Sequence, residues 1–163
     1  MNKLSKLTIS IGLGGKTSKQ IGDIKTHFQT IFAPFLKDRH AVTTKCKQSN
    51  SLFKIRQGTP IGVRCTFRKQ DKLKLIQHLL TIYPDFYNLL NYDANSLSFG
   101  IRSHRKLKLE NYNHKAPEYG MIFQLKFEPP GARIKYRRIN PLSLKKVIDK
   151  DKCISLVKEY VEH

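Results

Sequence analysis

The sequence predicts an α+β fold: a mainly antiparallel sheet with helices packed on one face, plus a short C-terminal helix. Three observations predict it. Apolar and polar residues alternate in several short segments, the period of a half-buried strand. Two longer segments carry apolar residues at three- and four-residue spacing, the period of an amphipathic helix. Several connections between strands are too short for parallel crossovers, so those strands run antiparallel.

The first strand is LSKLTISIG, Leu4 to Gly12, where Leu7, Ile9 and Ile11 alternate with Thr8 and Ser10. Gly12, Gly14 and Gly15 break it, and Thr17 or Ser18 caps the helix that follows. That helix carries Ile21, Ile24, Phe28, Ile31, Phe32 and Phe35 on one side, and Pro34 with the run Lys37 to His40 ends it. Residues 41–44 suit a short strand, and residues 45–50 are polar and basic. Gly58, Pro60 and Gly62 mark a turn, and Ile61 to Arg68 alternates as a strand. A second helix spans Gln70 to Tyr83, with Leu73, Ile76, Leu79, Leu80 and Tyr83 on one side and Pro84 as its stop. Asp85 to Asn95 reads as irregular. SLSFGI at 96–101 is a strand in which Gly100 signals a bulge or a close approach. Arg102 to Lys108 reads as an extended basic segment. Met121 to Phe127 alternates as the last strand, followed by the turn Pro129, Pro130, Gly131. Asp149 or Asp151 caps a final helix through Ile154, Val157 and Val161. Residues 1–139 are expected to form one α+β domain, with 140–163 a basic linker and a helix packed on it.

Charge narrows the function. Thirty-one Lys and Arg stand against 12 Asp and Glu, a net charge of +19. Such an excess points to a polyanionic partner, nucleic acid before an anionic membrane. No apolar run is long enough for a membrane span, and the N-terminus has neither a secretory nor a transit-peptide layout. Cys46, Cys65 and Cys153 are far apart and form no C-x-x-C pair, which argues against a disulfide framework and a zinc site. Cys65 falls within a strand pattern as a small buried hydrophobe. The six histidines lack metal-ligand spacing, and no acid/base pair is evident. Neither a cofactor nor a metal is expected.

Gly12 to Thr17 reads GLGGKT between a strand and a helix. A phosphate-cradling loop needs glycine five residues before Gly15, and that position is Ser10. The segment is therefore a strand-to-helix turn, though Lys16 at the helix start suits an RNA phosphate. Three basic sets remain. Lys45, Lys47, Lys54, Arg56, Arg64 and Arg68 surround the central loop and strand. Arg102, Arg105, Lys106 and Lys108 form the second, and Arg133, Lys135, Arg137 and Arg138 the third. Phe53, Phe99 and Tyr136 lie beside them as stacking platforms. In the central loop, Phe53 is the anchor, and Lys54 and Arg56 face outward.

The wording of that loop is specific. FKIRQG-x-PIG-x-x-x-T-x-R, within residues 53–68, resembles the signature of the universal fifth protein family of the large ribosomal subunit, L-five. LTISIGLG, the NSLSFGI strand and EYGMIFQLKFEPPG follow the family's order, and the resemblance runs from the first strand to the last helix. It implies a structural, non-catalytic protein of the central protuberance that binds 5S ribosomal RNA. It implies a loop, Asn50 to Gly62, that reaches the P-site transfer RNA through Asn50, Phe53, Lys54, Ile55, Arg56, Gln57 and Gly58. It also implies contact with a head protein of the small subunit. At the RNA-binding positions, Thr66 matches the family. Ser10 replaces an Asn, and Asp38 with Arg39 replaces a Gly-Gln pair. Bacterial members carry a helix before the first strand that this chain lacks. These departures, with heavy use of Lys over Arg, lead us to expect an organellar member in the mitochondrial matrix, made inside the organelle, with a bacterial cytoplasmic ribosome as the alternative. A free-standing RNA-binding or chaperone module is the alternative function.

Overall fold

The computed structural model describes residues 3–36, 40–93, 95–109, 116–129, 131 and 148–162. Six strands form one sheet: β1 (Lys3–Gly12), β2 (Val42–Lys45), β3 (Pro60–Phe67), β4 (Asn91–Asp93), β5 (Ser96–Ile101) and β6 (Met121–Glu128). Their order across the sheet is β2-β3-β1-β6-β5-β4. The helices are α1 (Ser18–Ile31), α2 (Ala33–Leu36), α3 (Lys69–Ile82) and α4 (Lys150–Glu162), with a 3-10 turn at His104–Leu107. This is the α+β architecture that the alternating and helical periods imply. β1 and β2 are not neighbours, because β3 lies between them. The chain through α1 and α2 is therefore a long crossover, and the β2–β3 hairpin then turns back into the gap.

The described residues fall into two compact units, to both of which β1, β5 and β6 contribute. One comprises Thr8–Phe67 and Gly100–Phe123. In it, Thr17 and Gln20 build a reciprocal N-terminal cap for α1: Gln20 N–H donates to Thr17 Oγ1 at 3.4 Å, and Thr17 N–H to Gln20 Oε1 at 3.0 Å. Ile21, Ile24, Phe28 and Ile31 are buried along α1, each burial stabilising by about 1.5–3 kcal/mol. The Phe32 ring packs 4.5 Å from Phe28 and 6.1 Å from Phe67, so the end of α1 lies over the face of β3 that carries Val63, Cys65 and Phe67. The expected single helix stops earlier than Phe35. Phe32 caps α1, and Pro34 sits in the first turn of α2, where its missing N–H leaves no bond unmade.

β2 pairs antiparallel with β3, Val42 opposite Arg64 and Thr44 opposite Gly62. A Cβ added at Gly62 would run into the carbonyl oxygen of Ile11 and lie 3.0 Å from Thr44 Oγ1. Glycine is needed there because the backbones of β1 and β3 approach so closely. The segment expected to be extended after Arg102 forms the 3-10 turn instead, because the Ser103 hydroxyl accepts the N–H of Arg105 at 3.3 Å. His104 in that turn stacks on Tyr119, ring centroids 4.2 Å apart, and meets His27 of α1 edge-on at 5.2 Å. His27 Nδ1 and the Tyr119 hydroxyl share a hydrogen bond of 3.1 Å. His27, half-buried at the edge of α1, thus belongs to a three-ring cluster.

The other unit comprises the described residues within Met1–Leu7, Arg68–Phe99 and Gln124–His163. Leu75, Ile76 and Leu79 are buried along α3, and the rings of Tyr83 and Phe86 pack on Phe99 of β5 at 5.6 and 5.3 Å. The segment expected to be irregular contains β4, a three-residue polar strand paired with β5 through Asn91–Ser98 and Asp93–Ser96. Asn95, with φ of 68°, takes the left-handed conformation of that hairpin's turn. Its Oδ1 accepts the N–H of Ile148 at 2.6 Å, and the Tyr92 hydroxyl donates to the Ile148 carbonyl at 2.6 Å. The hairpin thereby fixes the approach to α4. Lys72 is a buried lysine whose ammonium donates to the Leu4 carbonyl and lies 5.3 Å above the Tyr160 ring, tying α3 to β1 and α4. Burial, and then the nearby charge of Lys3, pull its pKa down. Gly100, expected to mark a bulge or a close approach, has open space where a side chain would stand, which removes the close approach.

Two outcomes follow. Gly62→Ala is expected to cost about 2–4 kcal/mol in denaturant unfolding, because β1 or β3 must shift; a parent-like midpoint would refute the close approach. Burial holds the pKa of both His27 and His104 below the ordinary 6.5, and for His104 the charge of His27 adds to the effect. The unfolded chain then takes up protons first as pH falls. This stability is complete above pH 6.5 and is lost as pH falls through the lowered values. Urea midpoints for the parent should decline across that window, and those of a His27→Gln, His104→Gln double variant should decline less.

Candidate nucleic-acid interface

The central loop is an ordered hairpin that continues the β2–β3 ladder. Cys46 N–H donates to the Thr59 carbonyl and Gly58 N–H to the Cys46 carbonyl, both at 2.9 Å. Further out, Asn50 and Ile55 exchange backbone hydrogen bonds of 2.8 and 3.0 Å. The tip, residues 51–54, is closed by Lys54 N–H donating to the Ser51 carbonyl at 3.1 Å, with Lys54 at φ of 52°. Asn50 Oδ1 accepts the N–H of Leu52 at 3.0 Å and of Phe53 at 3.4 Å, the local turn device of asparagine. Ser49 Oγ accepts the N–H of Gln57 at 3.0 Å, and Gly58 takes the positive φ of 84° that glycine tolerates.

This geometry corrects the role of Phe53. Its side chain is 72% exposed, and its neighbour Leu52 is 88% exposed. Backbone pairing and the Asn50 amide hold the loop; a ring buried beneath it does not. Lys54 and Arg56 are exposed as expected, and Ile55 is half-buried. The tip therefore offers two apolar side chains flanked by two cations. Phe99 is corrected too. It is 4% exposed and packed under Tyr83 and Phe86, so no base can stack on it.

A second surface lies on the sheet. Within the unit that holds the hairpin, core residues alternate along two strands: Ile9 and Ile11 on β1, Val63, Cys65 and Phe67 on β3. Alternation puts Ser10, Arg64 and Thr66 on the opposite face, with Val42 and Thr44 beside them on β2. Ser10 and Thr66 are half-buried, and Arg64 is exposed. Lys45 and Lys47 are exposed where the hairpin leaves the sheet, and Lys16 is exposed in the turn before α1. Arg102 and Arg105 are exposed on either side of Ser103, next to Lys106 and Lys108. Arg68 is exposed at the N-cap of α3, in the other unit. Arg39, Arg133, Lys135, Arg137 and Arg138, with Asp38 and Tyr136, lie outside the described residues.

The cation-bearing hairpin and the hydroxyl-bearing sheet face both suit phosphate and ribose. The Thr17–Gln20 cap occupies the start of α1 in the GLGGKT segment. Among the described residues, no three of His, Cys, Asp and Glu cluster to hold a metal ion, and no helix is long and apolar enough to cross a membrane. Sequence reading missed the exposed Leu52, the Asn50 turn, and the proximity of His40, Val42 and Thr44 to Arg64. Only the asparagine left a signal, as a turn-favouring residue before the tip.

No family model matches the chain. Curated proteins do. It is 30% identical over 159 residues to the large ribosomal subunit protein uL5 of Methanosphaera stadtmanae, covering 96% of this chain and 91% of that protein. It is 33% identical over 138 residues to uL5 of Methanobrevibacter smithii, covering 84% and 78%. With uL5 of Methanococcus vannielii it shares 26% identity over 98% of its own length and 86% of the relative's. Similarity of this extent, along nearly the whole chain, means that the protein belongs to the uL5 family of large-subunit ribosomal proteins.

Proposed function

We propose that this chain is a structural constituent of the large ribosomal subunit. It binds ribosomal RNA, 5S or its replacement, in the central protuberance, its hairpin reaches the P-site transfer RNA, and the protein meets a head protein of the small subunit. The observation that carries this reading is the hairpin: a ladder-braced projection whose exposed tip combines Lys54 and Arg56 with Leu52 and Phe53. Its family is one of structural ribosomal proteins, not enzymes. In this reading Ser10, Lys16, Arg39, Lys45, Lys47, Arg64, Thr66, Arg68, Arg102 and Arg105 contact ribosomal RNA, with Arg133, Lys135, Arg137 and Arg138. Residues 1–139 carry the RNA contacts, and 140–163 brace that domain. Ser10 and Arg39 cannot copy the paired donor and acceptor of an amide, so the RNA on this face is a remodelled 5S or another segment.

We assign the ribosome to the mitochondrial matrix on the departures at Ser10, Asp38 and Arg39 and the heavy use of Lys. The archaeal sources of the relatives favour a cytoplasmic ribosome instead. Sedimenting the ribosomes of the two compartments separately decides between them. Co-sedimentation of the native protein with large subunits in magnesium is the test of the ribosomal role. Recovery only at the top of the gradient would make it a free-standing RNA-binding module.

Two further outcomes follow. Binding of the isolated chain to ribosomal RNA should weaken steeply with salt, with a log-log slope of about −4 to −5 if about six phosphates are neutralised. A slope near zero would mean that the charge of +19 is not used on RNA. Phe53→Ala and the Lys54→Ala, Arg56→Ala double variant should each stay within about 0.5 kcal/mol of the parent's stability, since all three side chains are exposed. Both variants should lower P-site transfer RNA occupancy on reconstituted ribosomes. Full occupancy in both would remove the hairpin from the P site.

A further inference from the structure

Leu52 and Phe53, 88% and 72% exposed, are the two most exposed large apolar side chains among the described residues, and they are adjacent at the tip of the hairpin. We propose that the chain, when free of the ribosome, inserts this tip into the surface of an anionic membrane. The surrounding charge fits such a partner. Lys54 and Arg56 flank the pair, Lys45 and Lys47 stand at the base of the hairpin, and all four are exposed. No carboxylate lies between Asp38 and Asp71, so nothing in this stretch of sequence repels an acidic headgroup. Apolar residues at the end of a projection, with cations behind them, have the layout of an interfacial anchor. The cations draw the chain to acidic lipid, and the apolar pair then leaves water.

Backbone keeps most loops out of a bilayer, because an unpaired N–H or C=O loses water there without replacement. At this tip the amides are paired in advance. The N–H groups of Leu52 and Phe53 donate to Asn50 Oδ1 at 3.0 and 3.4 Å, and that of Lys54 donates to the Ser51 carbonyl at 3.1 Å. The Asn50–Ile55 backbone pair closes the turn beneath them. The two side chains can therefore enter the headgroup boundary, about 5–10 Å deep, as a preformed wedge. Lipid suits the pair better than RNA does. Phe53 has a ring face to lay on a base, whereas Leu52 has none, and a hydrocarbon boundary receives both. One tip serves one partner at a time, so lipid binding belongs to the chain off the ribosome and does not rest on the transfer RNA contact.

The chain has no tryptophan, so Phe53→Trp places a single indole at the tip. The full chain carrying it is titrated with vesicles of equal parts phosphatidylglycerol and phosphatidylcholine, and with vesicles of phosphatidylcholine alone. With the anionic vesicles only, indole emission should move to the blue, and lipids brominated on the acyl chain should quench it. In a second measurement, a Leu52→Ser, Phe53→Ser double variant should bind those vesicles at least about tenfold more weakly than the parent in a sedimentation assay. Both positions are exposed, so the fold should persist, with circular dichroism matching the parent. Adsorption with unshifted emission, or equal sedimentation of parent and serine variant, would reduce the binding to net charge and overturn the proposal. So would an emission shift with transfer RNA and none with vesicles, which would leave the tip to RNA alone. Transfer RNA occupancy is measured on ribosomes without lipid, so either reading of the hairpin can fail while the other stands.

Discussion

The β2–β3 ladder does not stop where the two strands stop, and the candidate interface depends on that continuation. Its hydrogen bonds run through Cys46, Thr59 and Gly58 to the Asn50–Ile55 pair. An isolated two-stranded hairpin is marginal in water. Here the base of the hairpin is held by a sheet whose β3 lies against β1 at Gly62. The projection therefore keeps its shape without a core of its own. Its tip is free to carry Leu52 and Phe53 into solvent, a placement that a self-supporting loop would not tolerate because it would need those side chains for packing.

The two surfaces differ in what they offer a ligand. The hairpin and the 3-10 turn carry exposed cations, which supply affinity that ignores sequence. The sheet face beside β2 is poor in charge and rich in hydroxyls, with Thr44, Thr66 and Ser10 around a single arginine. Hydroxyls and a guanidinium plane contribute little raw attraction, but they discriminate between shapes and edges. A charge of +19 alone would bind any polyanion.

Ring packing also separates structural residues from candidate functional ones. Phe99 sits near basic residues in sequence, yet its ring belongs with Tyr83 and Phe86. His27 and His104 look unrelated, 77 positions apart by their numbers, yet they meet Tyr119 in one cluster. In both cases burial withdraws a ring from any ligand, and for the histidines it also disfavours the charged form.

The sequence by itself determined the element types, the net charge and the family. Alternation at Leu7, Ile9 and Ile11, the stripe at Ile21, Ile24 and Phe28, and the wording of residues 53–68 are local signals, written in consecutive residues. A period of two or of 3.6 reports which side of an element is buried, and it needs no knowledge of what does the burying. The short polar strand β4 escaped because three residues are too few to show a period. The tertiary structure alone decided where β3 inserts, and with it the register that sets Thr44 against Gly62. It alone decided that Phe53 faces solvent. Whether an apolar side chain is buried depends on what else reaches it, and at the hairpin tip backbone bonds and the Asn50 amide close the turn without it. Contacts of this kind join residues far apart in sequence, so no window along the chain contains them.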